Sequence, residues 1–539
     1  MSRLIVLSNR VKMPDNNPMA GGLAVALSEL LTVSSGVWMG WNGDILDAST
    51  YNYNEDSLDS FSTYKKTALI PSRLSNVNLP VTYITTALSA KQYQHYYCGF
   101  ANNVLWPMLH EQIDLIVQAP DDFESYQSVN ELFAKQLKQI IGPSDVIWVH
   151  DYHFLSVAYY CRQLGITNRI GFFLHIPFAP LKFWQQLDTS SELIKHLVHY
   201  DVLGTQTQQD KQNCLDVINH YLKPYIIKNH FNDFDLNVDN SLNIFNSQHH
   251  ESSQSAYLTF NLGLEHLHHL LIKAYPIGVN VTKIQQQVAD LSELLSKKSV
   301  AKSFKVDEIK STNQQIIAVD RIDYSKGLLQ RFSAYSTFLQ QYPAYQQQLK
   351  LLQIACPSRL DLPTYKQLYN NVRLSVNNIN KAFVSSSSKT TQPISKNQEF
   401  TTDNFHSVDY PNIWQPINYT ESVLSHKTLM KAFWHSDIGW VNSLKDGMNL
   451  VAKEYVAAQN PENPGVLLLS RYAGASEQMQ ATVIVDPLEP SSIVAGLKKA
   501  LTMPLKERKE RHQILLDGLE KNSLMSWQQD FLDDLYQVV

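Results

Sequence analysis

The sequence predicts an α/β protein of two doubly wound domains, on three observations. Short continuous apolar runs alternate with segments of helical period, which is how parallel strands buried on both faces and their covering helices read. The runs fall into two sets, one on either side of a polar stretch near the middle. At 539 residues, with 44% apolar content, the chain exceeds what a single core organises.

In chain order the first set of strands is Leu4–Leu7, Val146–Val149, Ile170–Leu174 and Val202–Leu203, and the second is Ile316–Val319, Leu349–Ala355, Ile438–Val441 and Val466–Leu469. Apolar residues at three- and four-residue spacing mark helices at Leu23–Leu31, Val129–Ile141 and Leu328–Tyr342. The polar segment Lys283–Asn313 reads as the crossing, giving a first domain at 1–282 and a second at 283–511. A helical segment at 512–539 is free to return to the first domain. Stretches rich in Asn, Ser, Gln and His at 229–255 and 385–407 read as surface insertions.

Composition excludes several classes. With 45 basic and 50 acidic residues and a formal charge of -5, no basic field exists for nucleic acid or an anionic membrane. The apolar run at Leu4–Leu7 is too short for a secretory signal or a span, so a cytoplasmic protein is expected. Cys98, Cys161, Cys214 and Cys356 lie far apart and form neither a disulfide framework nor a zinc pattern.

In doubly wound folds ligands bind beyond the strand ends. Arg10 follows the first run, and Gly21-Gly22 opens the helix near Leu23, where backbone N–H groups can approach a phosphate. His150–His153 (HDYH) and His175 end two further runs. In DRIDYSKG, Asp320–Gly327, Arg321 and Lys326 share one loop, and a guanidinium with an ammonium can neutralise a departing diphosphate without metal. Asp446-Gly447 precedes a helix carrying Glu454. Each has a plainer reading: Arg10, Arg321 and Lys326 as solvated loop charges, the histidines as structural residues, Asp446 as an Asx turn.

Together these stretches resemble the trehalose-6-phosphate synthases, retaining GT-B glycosyltransferases of family 20. The resemblance runs through SNR at Ser8–Arg10, AGGLA at Ala20–Ala24, YYCGFANNVLWP at Tyr96–Pro107, IWVHDYH at Ile147–His153, RIGFFLHIPF at Arg169–Phe178, DRIDYSKG and DGMNLVAKEYVAAQ at Asp446–Gln459. It implies two facing Rossmann-like domains with the active site in the cleft between them. It also implies transfer of glucose from UDP-glucose to glucose 6-phosphate, with no cofactor and no metal.

By position, the resemblance places Arg10, Tyr97, Trp106, Asp151 and Arg359 on the acceptor. It places Gly21, Gly22, His175, Arg321, Lys326, Leu424, Asp446, Leu450, Val451, Ala452, Lys453 and Glu454 on the donor, with His175, Arg321, Lys326 and Asp446 also in the catalytic set. Lys445 stands where the family has Arg, and Asn378 and Lys381 stand where Arg and Gly are usual. The chain lacks a D-x-D-x-[TV] phosphatase motif, so synthase activity alone is expected, with dephosphorylation left to a separate phosphatase. A homo-oligomer is left open. The alternatives are a related synthase using an acceptor such as glycerol 3-phosphate, or a non-catalytic sugar-phosphate sensor.

Overall fold

A computed structural model describes residues 2–11, 27, 31, 36–46, 63–71, 78–231, 255–263, 266–296, 314–387 and 414–538. The chain divides into two compact units. The first comprises Met1–Asn280, Lys445–Leu450 and Gly518–Val539, and the second Val281–Leu444 and Val451–Asp517.

The first unit is built on a ten-stranded sheet. Its strands are β1 Leu4–Arg10, β2 Gly36–Leu46, β3 Thr63–Pro71, β4 Asn78–Ser89, β5 Val146–His150, β6 Ile170–Phe173, β7 Val202–Thr205, β8 Ile226–Phe231, β9 Ala256–Phe260 and β10 His268–Ala274. They lie in the order β3-β4-β2-β1-β5-β6-β7-β10-β9-β8. From β4 to β10 in that order neighbours pair in parallel, while β3, β9 and β8 add antiparallel edges. The parallel strands carry the continuous apolar runs because both faces are covered: Leu4–Leu7 and Val146–His150 are buried throughout. Strand order reverses at β1, which sits between β2 and β5. Arg10, the last residue of β1, and Asp151, the first beyond β5, therefore stand at the switch point.

Helix Leu524–Gln537 completes this core. Ser523 caps it by accepting the Ser526 N–H, and Leu524, Trp527, Phe531 and Leu535 are buried at helical spacing. Two glycines on neighbouring strands make room for it. A Cβ on Gly171 would come within 2.7 Å of the Phe531 ring, and one on Gly204 within 2.9 Å.

The second unit has a six-stranded, wholly parallel sheet in the order β13-β12-β11-β14-β15-β16. The strands are β11 Gln314–Arg321, β12 Leu349–Cys356, β13 Ile417–Thr420, β14 Ile438–Val441, β15 Val466–Ser470 and β16 Val483–Val485. Here the order reverses between β11 and β14, so Arg321 and the loop through Lys326 stand at this unit's switch point. Helix Leu328–Gln341 buries Leu328, Phe332, Tyr335 and Leu339 against the sheet. Gly327 starts it at φ 62, and a Cβ there would meet the Asn442 carbonyl oxygen at 2.4 Å. Arg331 of this helix is buried in an ion pair with Asp320 and lies over the Trp440 ring.

All eight expected strands are present. The helix expected at Val129–Ile141 is longer, Asp122–Ile140, and begins under Asp122 and Glu124 in its first turn. The Leu23–Leu31 helix lies almost wholly outside the described residues, as do both polar insertions apart from their ends. The expected crossing opens with a helix, Val281–Ser296, because Val281, Ile284 and Val288 are buried at helical spacing. Asn378 and Lys381 lie on the exposed side of helix Pro363–Ser387. Among the described residues no helix is long and apolar enough to cross a membrane.

Candidate functional site

In the first unit, β1 and β2 pair so that Arg10 lies opposite Trp41. The Arg10 guanidinium sits over the Trp41 ring, 4.5 Å from its centroid. Trp41 in turn packs on Tyr97 at 5.1 Å, and Tyr97 stacks on Tyr93 at 5.5 Å and on His153 at 6.1 Å. Tyr97 belongs to the helix Tyr93–Leu105, whose wide turns close on the fifth residue. The result is an exposed arginine braced on an aromatic row. Trp106, buried, packs on His110 and Tyr152.

Asp151 adopts φ 74 and ψ 164, a backbone region that favours glycine. Its N–H donates to the Phe173 carbonyl at 2.8 Å and its Oδ1 accepts the His175 N–H at 3.3 Å, tying the end of β5 to the end of β6. His175 Nε2 lies 3.1 Å from His150 Nδ1. Burial pushes His175 down to about 3; burial and then His175 push His150 well below its usual range. Both rings are therefore neutral. His150 Nε2 is buried and has no hydrogen-bond partner among the described residues. A bare acceptor there costs less than a stranded N–H, which assigns the proton to His150 Nδ1, donating to His175 Nε2, and leaves His175 protonated on Nδ1.

The segment Lys445–Leu450 belongs to this unit. Gly447 packs so closely on the His175 backbone that a Cβ would stand 2.3 Å from its carbonyl oxygen. Asp446 Oδ2 accepts from Asn449 Nδ2 at 3.0 Å, and Lys445 Nζ is 2.6 Å from Glu111 Oε1. Asp446 and His175 are thus brought into one neighbourhood.

In the second unit, Arg321 ends β11 with a side chain 48% exposed, its Nη2 3.9 Å from the buried Asp323 Oδ2. Lys326 closes the single turn Tyr324–Lys326, which Asp323 caps by accepting the Ser325 N–H. Arg359 takes the left-handed φ of 52; its Nη1 donates to the Tyr365 hydroxyl at 2.6 Å and lies 3.6 Å from Asp323 Oδ2. In helix Leu450–Ala457, Ala452 and Lys453 are buried while Leu450, Val451 and Glu454 are half-buried. Burial pushes Lys453 down to about 7, and its Nζ donates to Gln478 Oε1 at 2.8 Å. Glu454 Oε1 lies 3.5 Å from His426 Nε2, whose Nδ1 is 2.7 Å from Gln287 Oε1. Leu424 is half-buried just before that histidine.

Residues 8–405 and 397–537 match the model of Glycosyltransferase family 20. The chain belongs to glycosyltransferase family 20. A Trehalose-6-phosphate synthase of Sodalis glossinidius is 33% identical over 100% of this chain and 97% of its own length. One of Salmonella paratyphi B is 36% identical over 100% and 96%. Among solved structures, an alpha,alpha-trehalose-phosphate synthase (UDP-forming) from Burkholderia xenovorans in complex with glucose-6-phosphate superposes with a TM-score of 0.79 at 33% identity. The superposition covers 99% of this chain and 100% of that one. An E. coli structure bound with UDP-2-fluoro glucose gives 0.76 at 33% identity, covering 100% of both.

Within this family-20 chain the structure gathers the expected residues into local groups. Arg10 and Tyr97 meet through Trp41, Asp151 and His175 through the His175 N–H donated to the Asp151 carboxylate, and Arg321 and Arg359 through Asp323. Gly21 and Gly22 lie outside the described residues. Trp41, Asp323, Tyr365 and His426 were not singled out by sequence reasoning. Trp41 gave little signal: it is one aromatic within β2, and only the pairing of that strand with β1 sets it opposite Arg10. His426 gave none, being one polar residue in the first turn of an ordinary amphipathic helix.

Proposed function

We propose that this family-20 glycosyltransferase moves glucose from UDP-glucose to glucose 6-phosphate with retention, forming trehalose 6-phosphate and UDP. The observation that carries this reading is the end-to-end likeness to a UDP-forming synthase solved with glucose-6-phosphate. The local chemistry agrees with it. Arg321 at the end of β11 and Lys326 just after it stand at the switch point, where a leaving diphosphate meets two cations and a helix start. Glu454 offers a carboxylate to ribose hydroxyls, with Leu424, Leu450, Val451, Ala452 and Lys453 lining the nucleotide. Gly21 and Gly22 are assigned to the diphosphate. Arg10 and Arg359 grip the acceptor phosphate, with Tyr97, Trp106 and Asp151 around its sugar.

His175, neutral and with its Nε2 occupied, keeps Nδ1–H as a donor for a glucosyl hydroxyl, and Asp446 accepts from another. The acceptor hydroxyl attacks the anomeric carbon as the bond to the diphosphate breaks, and its proton passes to a leaving phosphate oxygen on the same face. Positioning and charge stabilisation supply the rate.

The test is to incubate purified protein with glucose 6-phosphate and each of UDP-, GDP- and ADP-glucose in EDTA, and to identify the product. Trehalose 6-phosphate, formed best from UDP-glucose, is expected. Parallel incubations replace glucose 6-phosphate by glycerol 3-phosphate, or EDTA by a divalent ion; product formed only in one of these would overturn the assignment.

A further inference from the structure

Asp323 is fully buried, yet its carboxylate is surrounded by donors. Oδ1 accepts the Ser325 N–H at 3.0 Å. Oδ2 accepts the Tyr365 hydroxyl at 3.2 Å and lies 3.6 Å from Arg359 Nη1 and 3.9 Å from Arg321 Nη2. The direction of the chain is fixed by chemistry. A guanidinium only donates and a carboxylate only accepts, so the Tyr365 hydroxyl receives from Arg359 at 2.6 Å and must send its own proton to Asp323. Burial and the Asp323 charge raise the Tyr365 phenol above its usual range, so this proton stays in place.

We propose that Asp323 and Tyr365 are positioning residues that tie the acceptor-phosphate arginine, Arg359, and the leaving-group arginine, Arg321, to one buried carboxylate. The inference rests on the roles assigned to those two arginines above. A single negative charge offsets the repulsion between two guanidinium groups drawn to the same place. The Arg321 side chain stays half-exposed, within reach of an incoming phosphate. Arg359 is more enclosed, with its side chain 9% exposed, and its planar end lies over the Tyr365 ring at 5.3 Å. Its strained backbone is compatible with a side chain held in one orientation. The relay is asymmetric: Tyr365 hydrogen-bonds Arg359 directly and is joined to Arg321 through the Asp323 carboxylate.

That asymmetry gives the test. In initial-rate measurements on the full chain, Tyr365→Phe, which keeps the buried ring, should raise KM for glucose 6-phosphate about three- to tenfold, the worth of one hydrogen bond. Its affinity for UDP alone, by calorimetry, should be unchanged. Asp323→Asn should weaken both UDP binding and glucose 6-phosphate use. In an Arg359→Ala background, Tyr365→Phe should have no further effect on KM, since its partner is gone. Equal changes in both substrates for Tyr365→Phe, or a lower Tm with KM untouched, would overturn the relay and leave a merely structural phenol. If Arg359→Ala itself leaves KM for glucose 6-phosphate unchanged, the acceptor assignment has failed and the relay falls with it. The two failures are read from different variants.

Discussion

Lys326 carries the ammonium assigned to the leaving diphosphate. It ends a single turn fixed by Asp323 and Gly327, which places it at the switch point where charge develops on the leaving diphosphate. Lys326→Ala should lower kcat by roughly 10²- to 10³-fold, as loss of one transition-state contact does. A tenfold or smaller loss in kcat would place the ammonium outside the reaction. Trp41 works differently. It braces the Arg10 guanidinium from below, so Trp41→Ala should raise KM for glucose 6-phosphate with UDP affinity unaffected. Equal loss of UDP binding would remove Trp41 and Arg10 from the acceptor together. The reason one residue was legible and the other not is physical. Lys326 is a charge in a loop between an apolar run and a helix, whereas Trp41 looks like one more buried aromatic until the pairing of β1 with β2 sets it beside Arg10.

At the scale of elements, a helix and its docking site are legible to different degrees. The period of Leu524–Gln537 is written in its own residues, but its place on the first sheet is decided by Gly171 and Gly204, far away in sequence, where a missing Cβ admits the Phe531 ring. Phe531 stacks on Trp148 at 4.4 Å with ring planes 8° apart and is wholly buried. Phe531→Ala should cost about 3–5 kcal/mol in urea unfolding of the full chain, the usual range for a phenylalanine removed from a packed core. A cost below about 1 kcal/mol, the level of an ordinary surface change, would show that the helix is not integral to this sheet. Edge strands were hidden for the opposite reason. β8 (IIKNHF) pairs antiparallel with β9 (AYLTF) at the sheet's margin, where Ile227, Lys228 and Asn229 are exposed, and β9, buried except at Tyr257, is broken in sequence by Tyr257 and Thr259. They lack the continuous apolar runs that identified β1, β5 and β7.

Over the whole molecule, the buried histidines set how the fold responds to acid. His150 and His268 are held below their usual range chiefly by burial, His196 and His199 are pushed down to about 4, and His175 to about 3. His268 and His196 are anchored by neutral contacts, to the Tyr200 carbonyl at 2.9 Å and the Ser156 hydroxyl at 3.0 Å. The unfolded chain binds protons at these positions near the ordinary value of about 6.5, and the folded chain does not until the pH is well lower. A depressed histidine therefore costs nothing above about pH 6.5. Below it, stability is lost by roughly 1.4 kcal/mol per pH unit for each such group until its folded value is reached. Asp437 and Asp530, raised by burial, act in the opposite sense, but only as the pH nears the carboxylate range. Lys453, held at about 7 by burial, adds a loss of up to one proton's worth as the pH falls from 8 to 7, so the urea midpoint should decline gently there and fall steeply between pH 6 and 4.5. His196→Asn, if it preserves the Ser156 contact, should reduce that slope by about one proton's worth. A midpoint unchanged down to pH 5 would mean that these rings are protonated in the folded state, and that the neutral His150–His175 pair assigned beside the donor site is wrong as well.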